Sequence, residues 1–80
     1  MNTNEAVKNR VIELCLERKW AFHALARYSG IPSTTMTNIV NGTSQNPGIV
    51  NIKKICDGLD ITLGEFFSTP TFDNLEQEIK

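Results

Sequence analysis

The sequence predicts an all-α protein, a compact bundle of five helices, and three observations support that prediction. Apolar residues recur at helical spacing along most of the 80 residues, as at Val7, Val11 and Leu14. Gly30 and Gly42 each follow an apolar run at a position typical of a helix end. No stretch shows the strict alternation of apolar and polar residues that is typical of a half-buried strand.

The predicted helices cover residues 4–18, 21–29, 32–41 and 49–59, followed by a short fifth helix that extends through Phe67. Thr3 or Asn4 suits the N-cap of the first helix. Thr62 suits the N-cap of the fifth, with Glu65 three residues later to complete a capping box. The side chains expected to face the core are those of Val7, Val11, Leu14, Cys15, Phe22, Leu25, Ala26, Met36, Ile39, Val40, Ile49, Ile52, Ile55, Cys56 and Leu59.

The chain divides into one small domain, residues 1–69, and a C-terminal tail, residues 70–80. Pro70 is expected to stop the fifth helix. Beyond it, Phe72, Leu75 and Ile79 recur at i, i+3 and i+7, which indicates a short amphipathic helix packed on the domain or on a second copy. The alternative is a frayed terminus, because isolated helices this short are marginal in water.

Composition excludes several classes of protein. No apolar run approaches the ~20 residues that span a bilayer, and the first residues lack a signal peptide's basic and apolar regions, so a cytoplasmic location is expected. Cys15 and Cys56 lie in apolar helical patterns and are expected to be buried free thiols. A zinc site formed by both thiols and His23 has no typical ligand spacing, so no metal or cofactor is expected. Without paired carboxylates or a nucleophile motif, the chain is not expected to be an enzyme.

Charge is distributed unevenly along the chain. The net charge is −1, yet between Lys8 and Lys54 seven basic and two acidic residues give +5. Six of the other seven acids lie towards the C-terminus, from Asp57 onwards. This asymmetry favours a basic front that meets nucleic acid and an acidic back or tail.

Residues 25–42 predict two short helices joined by a tight turn at Gly30. Pro32 lies just inside the second helix, where its missing N–H costs little. Met36, Ile39 and Val40 recur on one side of that helix. The opposite side consists of short polar residues without an acid, namely Ser33, Thr34, Thr37, Asn38 and Asn41. A helix with such a face fits the major groove of DNA.

From about residue 7 to residue 67 the chain resembles the helix-turn-helix domain of the phage repressor and Cro superfamily, the Xre type. The residues that carry the resemblance are Leu25, Ala26, Ser29, Gly30 and Ile31, then Thr35, Met36, Thr37, Ile39 and Gly42, then Pro47, Ile52, Lys54, Ile55, Cys56, Gly58, Leu59, Ile61, Thr62, Leu63, Glu65, Phe66 and Phe67. The resemblance implies a lambda-repressor-like bundle with the helix-turn-helix at helices 2 and 3.

The resemblance also implies which residues meet DNA. Those that read bases would be Ser33, Thr34 and Asn38, with Thr37 nearby, and Asn41 would hold a phosphate. Apart from the resemblance, Arg27, Lys19 and Lys53 or Lys54 are candidates for charge contacts with phosphates, and His23 is a further phosphate candidate. Asn38 is the principal candidate, because an amide can donate to N7 and accept from N6 of one adenine. The alternatives are capping of helix 3 by Ser33 and Thr34, a solvated amide at Asn38 and a turn residue at Asn41.

Two departures from the family pattern weaken the expected contacts with phosphates. Helix 2 of the family often begins with Thr-Gln, which caps the helix and holds a phosphate, whereas Ala21 and Phe22 stand here. Trp20 or His23 would have to replace that contact. The loop after Gly42 is often basic, but residues 43–46 are neutral. A monomer is therefore expected to bind weakly, and specific occupancy to need a homodimer on two half-sites.

The predicted function is sequence-specific binding of a double-stranded DNA operator by a homodimeric transcriptional regulator, a repressor. No sensor domain is expected, so control through concentration or through a regulatory protein partner is a further expectation. The alternative is a protein-interaction module, such as an antitoxin or anti-repressor subunit, in which helix 3 or the tail binds protein. An exposed apolar patch on helix 3 would favour that alternative, and positive potential around Ser33, Asn38 and Asn41 would favour DNA.

Overall fold

Over residues 1–79 the fold consists of six α-helices, one more than the sequence predicts. The computed structural model describes residues 1–79, and no strand occurs in that range. The helices are α1 (Thr3–Arg18), α2 (Phe22–Ser29), α3 (Ser33–Asn41), α4 (Ile49–Leu59), α5 (Leu63–Phe67) and α6 (Pro70–Asp73). The predicted bounds of the first four agree to within one residue. No helix in this described range is long and apolar enough to cross a membrane.

Local hydrogen bonds mark where α1 and α5 begin. The N-cap of α1 is Asn2, not either of the two residues that follow it, and its side-chain oxygen accepts from the backbone N–H of Glu5 at 2.8 Å. In α5 the predicted capping box is confirmed. The Thr62 hydroxyl accepts from the Glu65 N–H, and the Glu65 carboxylate accepts from the Thr62 N–H, each at 3.0 Å.

Helices α1 to α4 all end in the same way, on a residue in the left-handed conformation. Glycine fills this position after α2 and α3, with φ of 66° at Gly30 and 76° at Gly42. Lys19 and Asp60, each with φ of 58°, fill it after α1 and α4 at a cost of roughly 1 kcal/mol. In each case the next backbone N–H donates to the carbonyl five residues earlier, from Trp20 to Cys15, Ile31 to Ala26, Thr43 to Asn38 and Ile61 to Cys56.

The core contains most of the residues predicted for it; Val40 is half-buried against it, and two others are exposed. Phe22 is 37% exposed and Ile49 is 60% exposed, so the prediction that they are buried is wrong. Each is the first residue of its helix. A helical side chain leans over the turn that precedes its own Cα, and the first residue has no such turn to pack on. The buried apolar residues are Ala6, Val7, Val11, Leu14, Cys15, Leu25, Ala26, Ile31, Met36, Ile39, Ile52, Ile55, Cys56, Leu59 and Phe66.

Helices α2 and α4 approach each other closely at Ser29 and Gly58. A Cβ atom added to Gly58 would lie 2.5 Å from the Ser29 Oγ, 3.1 Å from its backbone nitrogen and 3.2 Å from its Cα. Ser29 is buried, and its hydroxyl has no hydrogen-bond partner. The backbone of α2 therefore rests on α4 at a point where a larger residue than glycine does not fit.

Two arginines of α1 bind the carbonyl ends of other helices. The Arg10 guanidinium donates to the carbonyl of Phe66 at 2.7 Å and to that of Glu65 at 2.8 Å. Arg18 donates to the carbonyl of Leu59 at 3.2 Å. These contacts place positive charge at the negative ends of α5 and α4, and they hold α1 across the bundle.

The C-terminal segment is a helical turn packed on the core rather than a longer amphipathic helix. Pro70 is the first residue of α6, which ends at Asp73. The Phe72 ring lies 4.9 Å from the ring of Phe67 and 6.1 Å from that of the buried Phe66, measured between centroids. Because α6 ends before Leu75, the residues Phe72, Leu75 and Ile79 do not form the single apolar face of a helix that their spacing had indicated. Phe72 belongs to the core, whereas Ile79 is 87% exposed.

Cys15 and Cys56 are free and buried, as predicted. Burial raises the pKa of each thiol above its ordinary value of 9.0, because the charged thiolate is poorly solvated in the core. Folding therefore favours the protonated form of both groups.

We expect Gly58→Ala to destabilise the fold by about 1–3 kcal/mol, because the new methyl group overlaps Ser29. Gly64→Ala is the matched control. Its Cβ would meet only the Thr62 Oγ at 3.7 Å, and alanine is the better helix former by roughly 0.5–1 kcal/mol, so this variant should be more stable. Urea unfolding measures both. A Gly58→Ala variant as stable as the wild type would contradict the close approach of α2 and α4.

Stability should fall as the pH rises above 9. The unfolded thiols ionise from about that pH, whereas those of the folded protein keep their protons up to their raised pKa. Each thiol can contribute a slope of at most about 1.4 kcal/mol per pH unit. Urea unfolding between pH 8 and pH 10 checks this. The Cys15→Ala/Cys56→Ala variant, less stable throughout, should show a flatter decline, and an equal decline would count against the effect.

Candidate nucleic-acid interface

The turn between α2 and α3 is built by Gly30 and Ile31. Gly30 takes the left-handed conformation, and the Ile31 N–H then donates to the Ala26 carbonyl at 3.0 Å. This geometry turns the Ile31 side chain into the core, where it is 5% exposed. With Leu25 and Met36 also buried, the packing of the two helices fixes which side of α3 faces outwards.

The outer face of α3 is polar and uncharged. Met36 and Ile39 are buried on the inner side, and Val40 is half-buried against the core. All five polar residues singled out in this helix are exposed, namely Ser33, Thr34, Thr37, Asn38 and Asn41. The large apolar side chains that are exposed in the described range belong to other segments, among them Leu16, Phe22, Tyr28, Ile49, Val50 and Ile79.

The first turn of α3 has no side-chain cap. Its N-cap residue is Pro32, which makes no such bond, so Ser33 and Thr34 do not fill the N-cap position that the capping alternative assigned to them. The first backbone N–H groups of a helix have no partner within it and carry the positive end of its dipole. The hydroxyl groups of Ser33 and Thr34 therefore lie beside backbone donors, which is a setting suited to an acceptor from outside.

Asn38 is held by the loop that follows α3. Its side-chain Oδ1 lies 3.3 Å from the Thr43 Oγ1, which donates to it. Its backbone carbonyl accepts from the N–H groups of Thr43 and Ser44, each at 3.0 Å. The carboxamide is therefore exposed and also hydrogen-bonded to Thr43, whereas the alternative considered above was an amide in contact with solvent alone. Thr43 was not a candidate on sequence grounds, because neither its type nor its spacing indicates this contact.

A lysine of α1 lies beside the C-terminal end of α3. A Cβ added to Gly42 would lie 3.3 Å from the Lys8 Cδ and 3.8 Å from its Nζ. Asn41, the residue before Gly42, is exposed. An ammonium group and an amide therefore flank the negative end of this helix. The sequence placed Lys8 in the basic segment without assigning it to the interface.

Residues 18–56 contain no acidic residue, and this stretch includes α2, α3 and the loops on either side of α3. Lys19, His23 and Arg27 are exposed within it. The Arg27 guanidinium lies 5.4 Å from the centroid of the Tyr28 ring. That ring contacts Trp20 in a tilted arrangement, with 5.0 Å between the two centroids. The segment therefore presents positive charge without a competing carboxylate of its own.

Two cations of the basic segment have partners within the protein. Arg18 donates to helix carbonyls, as described above, and Lys53 pairs with Asp57 one turn further along α4. That pairing raises the pKa of Lys53. Lys54 is exposed beside it.

The start of α2 lacks the cap that the family pattern supplies. Ala21 occupies the N-cap position and makes no side-chain hydrogen bond there. His23, in the first turn, is exposed. This end of α2 therefore offers backbone N–H groups and an imidazole, where a Thr-Gln pair would have offered side-chain donors.

Comparisons with known proteins agree with this geometry. A family model described as a Cro/C1-type helix-turn-helix DNA-binding domain matches residues 10–71. Among solved structures, the chain is similar to a crystal structure of prophage Lp1 protein 11, with a TM-score of 0.81 and 28% sequence identity. That likeness covers 94% of this chain and all of the other. A comparison of this chain with curated proteins found no match. The chain belongs to the Cro/C1-type family of helix-turn-helix DNA-binding domains.

Proposed function

We propose that this protein is a transcriptional repressor that binds an operator in double-stranded DNA as a homodimer, with α3 in the major groove. The observation that carries the proposal is the outer face of α3, which is exposed, uncharged and rich in hydrogen-bonding groups. It belongs to a 39-residue stretch without an acid, residues 18–56. An antitoxin-like module that binds protein through α3 would need apolar groups there, and the large exposed ones lie on other segments.

Base reading is assigned to the first two turns of α3. Asn38 is the principal reader, because its amide presents donors and an acceptor to a base edge. Ser33 and Thr34 contact bases or phosphates from the first turn. Thr37 offers its hydroxyl, or its methyl group to a thymine methyl.

Phosphate contacts are assigned to groups around this face. Asn41 donates to a phosphate at the end of α3, and the Lys8 ammonium beside it offsets the negative pole of the helix. Lys19 and Arg27 add charge. His23 and the open N–H groups of α2 take the place of the missing Thr-Gln contact.

Dimer formation compensates for the small number of cations. The loop after α3 is neutral over residues 43–46, and Lys53 is paired with Asp57, so one domain neutralises few phosphates. Ile49 and Val50, at the start of α4, are 60% and 65% exposed. We assign the contact between two copies to this pair, since Phe72 of the tail is used by the core.

Asn38→Ala should weaken binding to the best duplex from a randomised library by about 1–3 kcal/mol and leave non-specific binding nearly unchanged. Asn41→Ala should weaken all duplexes to a similar extent, because a phosphate contact carries no direct sequence information. Fluorescence anisotropy with selected and scrambled duplexes measures both. Gln77→Ala, an exposed change beyond α6, is the control. If both α3 variants bind the selected duplex as the wild type does, α3 does not read the DNA.

Replacing Ile49 and Val50 together by serine should turn a dimer into a monomer and lower the affinity for a two-half-site operator sharply. The apolar contact is lost, whereas the fold is kept because both side chains are exposed. Sedimentation equilibrium gives the oligomeric state. Leu16→Ser, at a residue 72% exposed on α1, is the matched control. A wild type that is monomeric on its operator would contradict the homodimer, and an unchanged dimer in the double variant would contradict this surface.

A further inference from the structure

We propose that Thr43 is a positioning residue for base recognition, which fixes the orientation of the Asn38 carboxamide. A carboxamide has two different ends, an oxygen that accepts and an NH2 group that donates, and a half-turn about its last bond exchanges them. A free amide on a helix surface presents either end. The Thr43 hydroxyl selects between them, because its proton is given to the amide oxygen. A reversed amide would donate its NH2 group to the hydroxyl oxygen, and the hydroxyl proton would then have only the Asn38 backbone oxygen as an acceptor.

Two acceptors lie within reach of the Thr43 hydroxyl, and only one has capacity left. Oγ1 is 3.3 Å from the Asn38 backbone oxygen and 3.3 Å from its side-chain Oδ1. The backbone oxygen already accepts from the N–H groups of Thr43 and Ser44, each at 3.0 Å, which uses both of its lone pairs. The side-chain oxygen is therefore the partner of the hydroxyl proton.

This hydrogen bond determines what Asn38 presents to a base. With Oδ1 turned towards Thr43, the NH2 group points the opposite way, and one lone pair of the oxygen stays free. An amide held in this sense offers donor and acceptor in one fixed order, as bidentate reading of adenine requires. Because the order of donor and acceptor is set before DNA arrives, the protein loses less conformational freedom on binding. A base edge that presents its own donor and acceptor in the opposite order is rejected more strongly.

Through the hydrogen bond from Thr43 to Asn38, the neutral loop after α3 contributes to base recognition. Residues 43–46 contribute no charge to phosphate binding. Thr43 instead follows Gly42, whose left-handed conformation turns the chain back so that residue 43 lies beside residue 38. This inference rests on the proposed function, in that it assumes Asn38 reads a base.

The experiment uses the full chain and duplexes selected by the wild type from a randomised library. The base position read by Asn38 is the one whose preference disappears in Asn38→Ala. At that position alone, Thr43→Val should reduce discrimination about three- to tenfold, the worth of one lost hydrogen bond. Thr43→Ser keeps the hydroxyl and should stay within about twofold of the wild type. Valine is β-branched like threonine, so the backbone preference is retained.

Two controls separate positioning from a general loss of structure. Ser44→Ala removes the neighbouring hydroxyl and should leave the base preferences unchanged. In the Asn38→Ala background, Thr43→Val should have no further effect on preference, because the group it orients is gone. Thermal unfolding of each variant verifies that the fold is kept.

The outcomes are distinguishable. A Thr43→Val variant with wild-type preferences, a uniform change at every position, or an additional effect without Asn38 would each overturn the role of Thr43 while leaving the proposed function in place. A library from which the wild type enriches no sequence would overturn the proposed function, and this inference with it.

Discussion

The position of the helix-turn-helix depends on the close approach of α2 to α4 at Ser29 and Gly58. The backbone of α2 can lie this near to α4 because residue 58 has no side chain. The rest of α2 then packs on α4 through buried residues such as Leu25 and Ile55. Since α3 follows α2 after a single tight turn, a shift at Gly58 would move the DNA-facing helix as well. A residue outside the helix-turn-helix thus controls the orientation of α3.

Several cations of this small domain bind groups within the fold and so contribute to its structure. Arg10 and Arg18 hold carbonyl groups at the ends of α5 and α4, and Lys53 pairs with Asp57. These three account for much of the positive charge that the sequence shows ahead of Asp57. Four helix ends also close on a left-handed residue and a backbone hydrogen bond, and at α4 the Arg18 side chain adds a bond to the last carbonyl.

Local signals in the sequence were sufficient to predict the first five helices. Contacts between residues that are distant in the sequence could not be predicted from such signals. Thr62 and Glu65 predict their capping box, because both partners lie within one turn. Phe22 and Ile49 fit the apolar pattern yet are exposed, because periodicity does not say what covers the first residue of a helix. Pro70 was predicted only to end a helix, but it also begins one.

In the candidate site, too, the sequence predicts which residues face outwards but not which distant residues contact them. Helical periodicity identifies the outward residues of α3, since Met36 and Ile39 determine the inward side. The bond from Thr43 to Asn38 depends on how the chain folds back after Gly42, and the place of Lys8 beside that glycine depends on the packing of α1. Neither follows from spacing along the sequence.

The neutral loop after α3 has a consequence for how the protein finds its site. Attraction to phosphates acts at every position of a genome, and it retains a regulator on DNA that it does not control. A domain that relies on oriented hydrogen bonds rather than on lysines gives up affinity everywhere but keeps the difference between correct and incorrect sites. If the protein acts on an operator as proposed, fewer of its molecules are then held at other sites, and occupancy of that operator follows the concentration of free protein more directly.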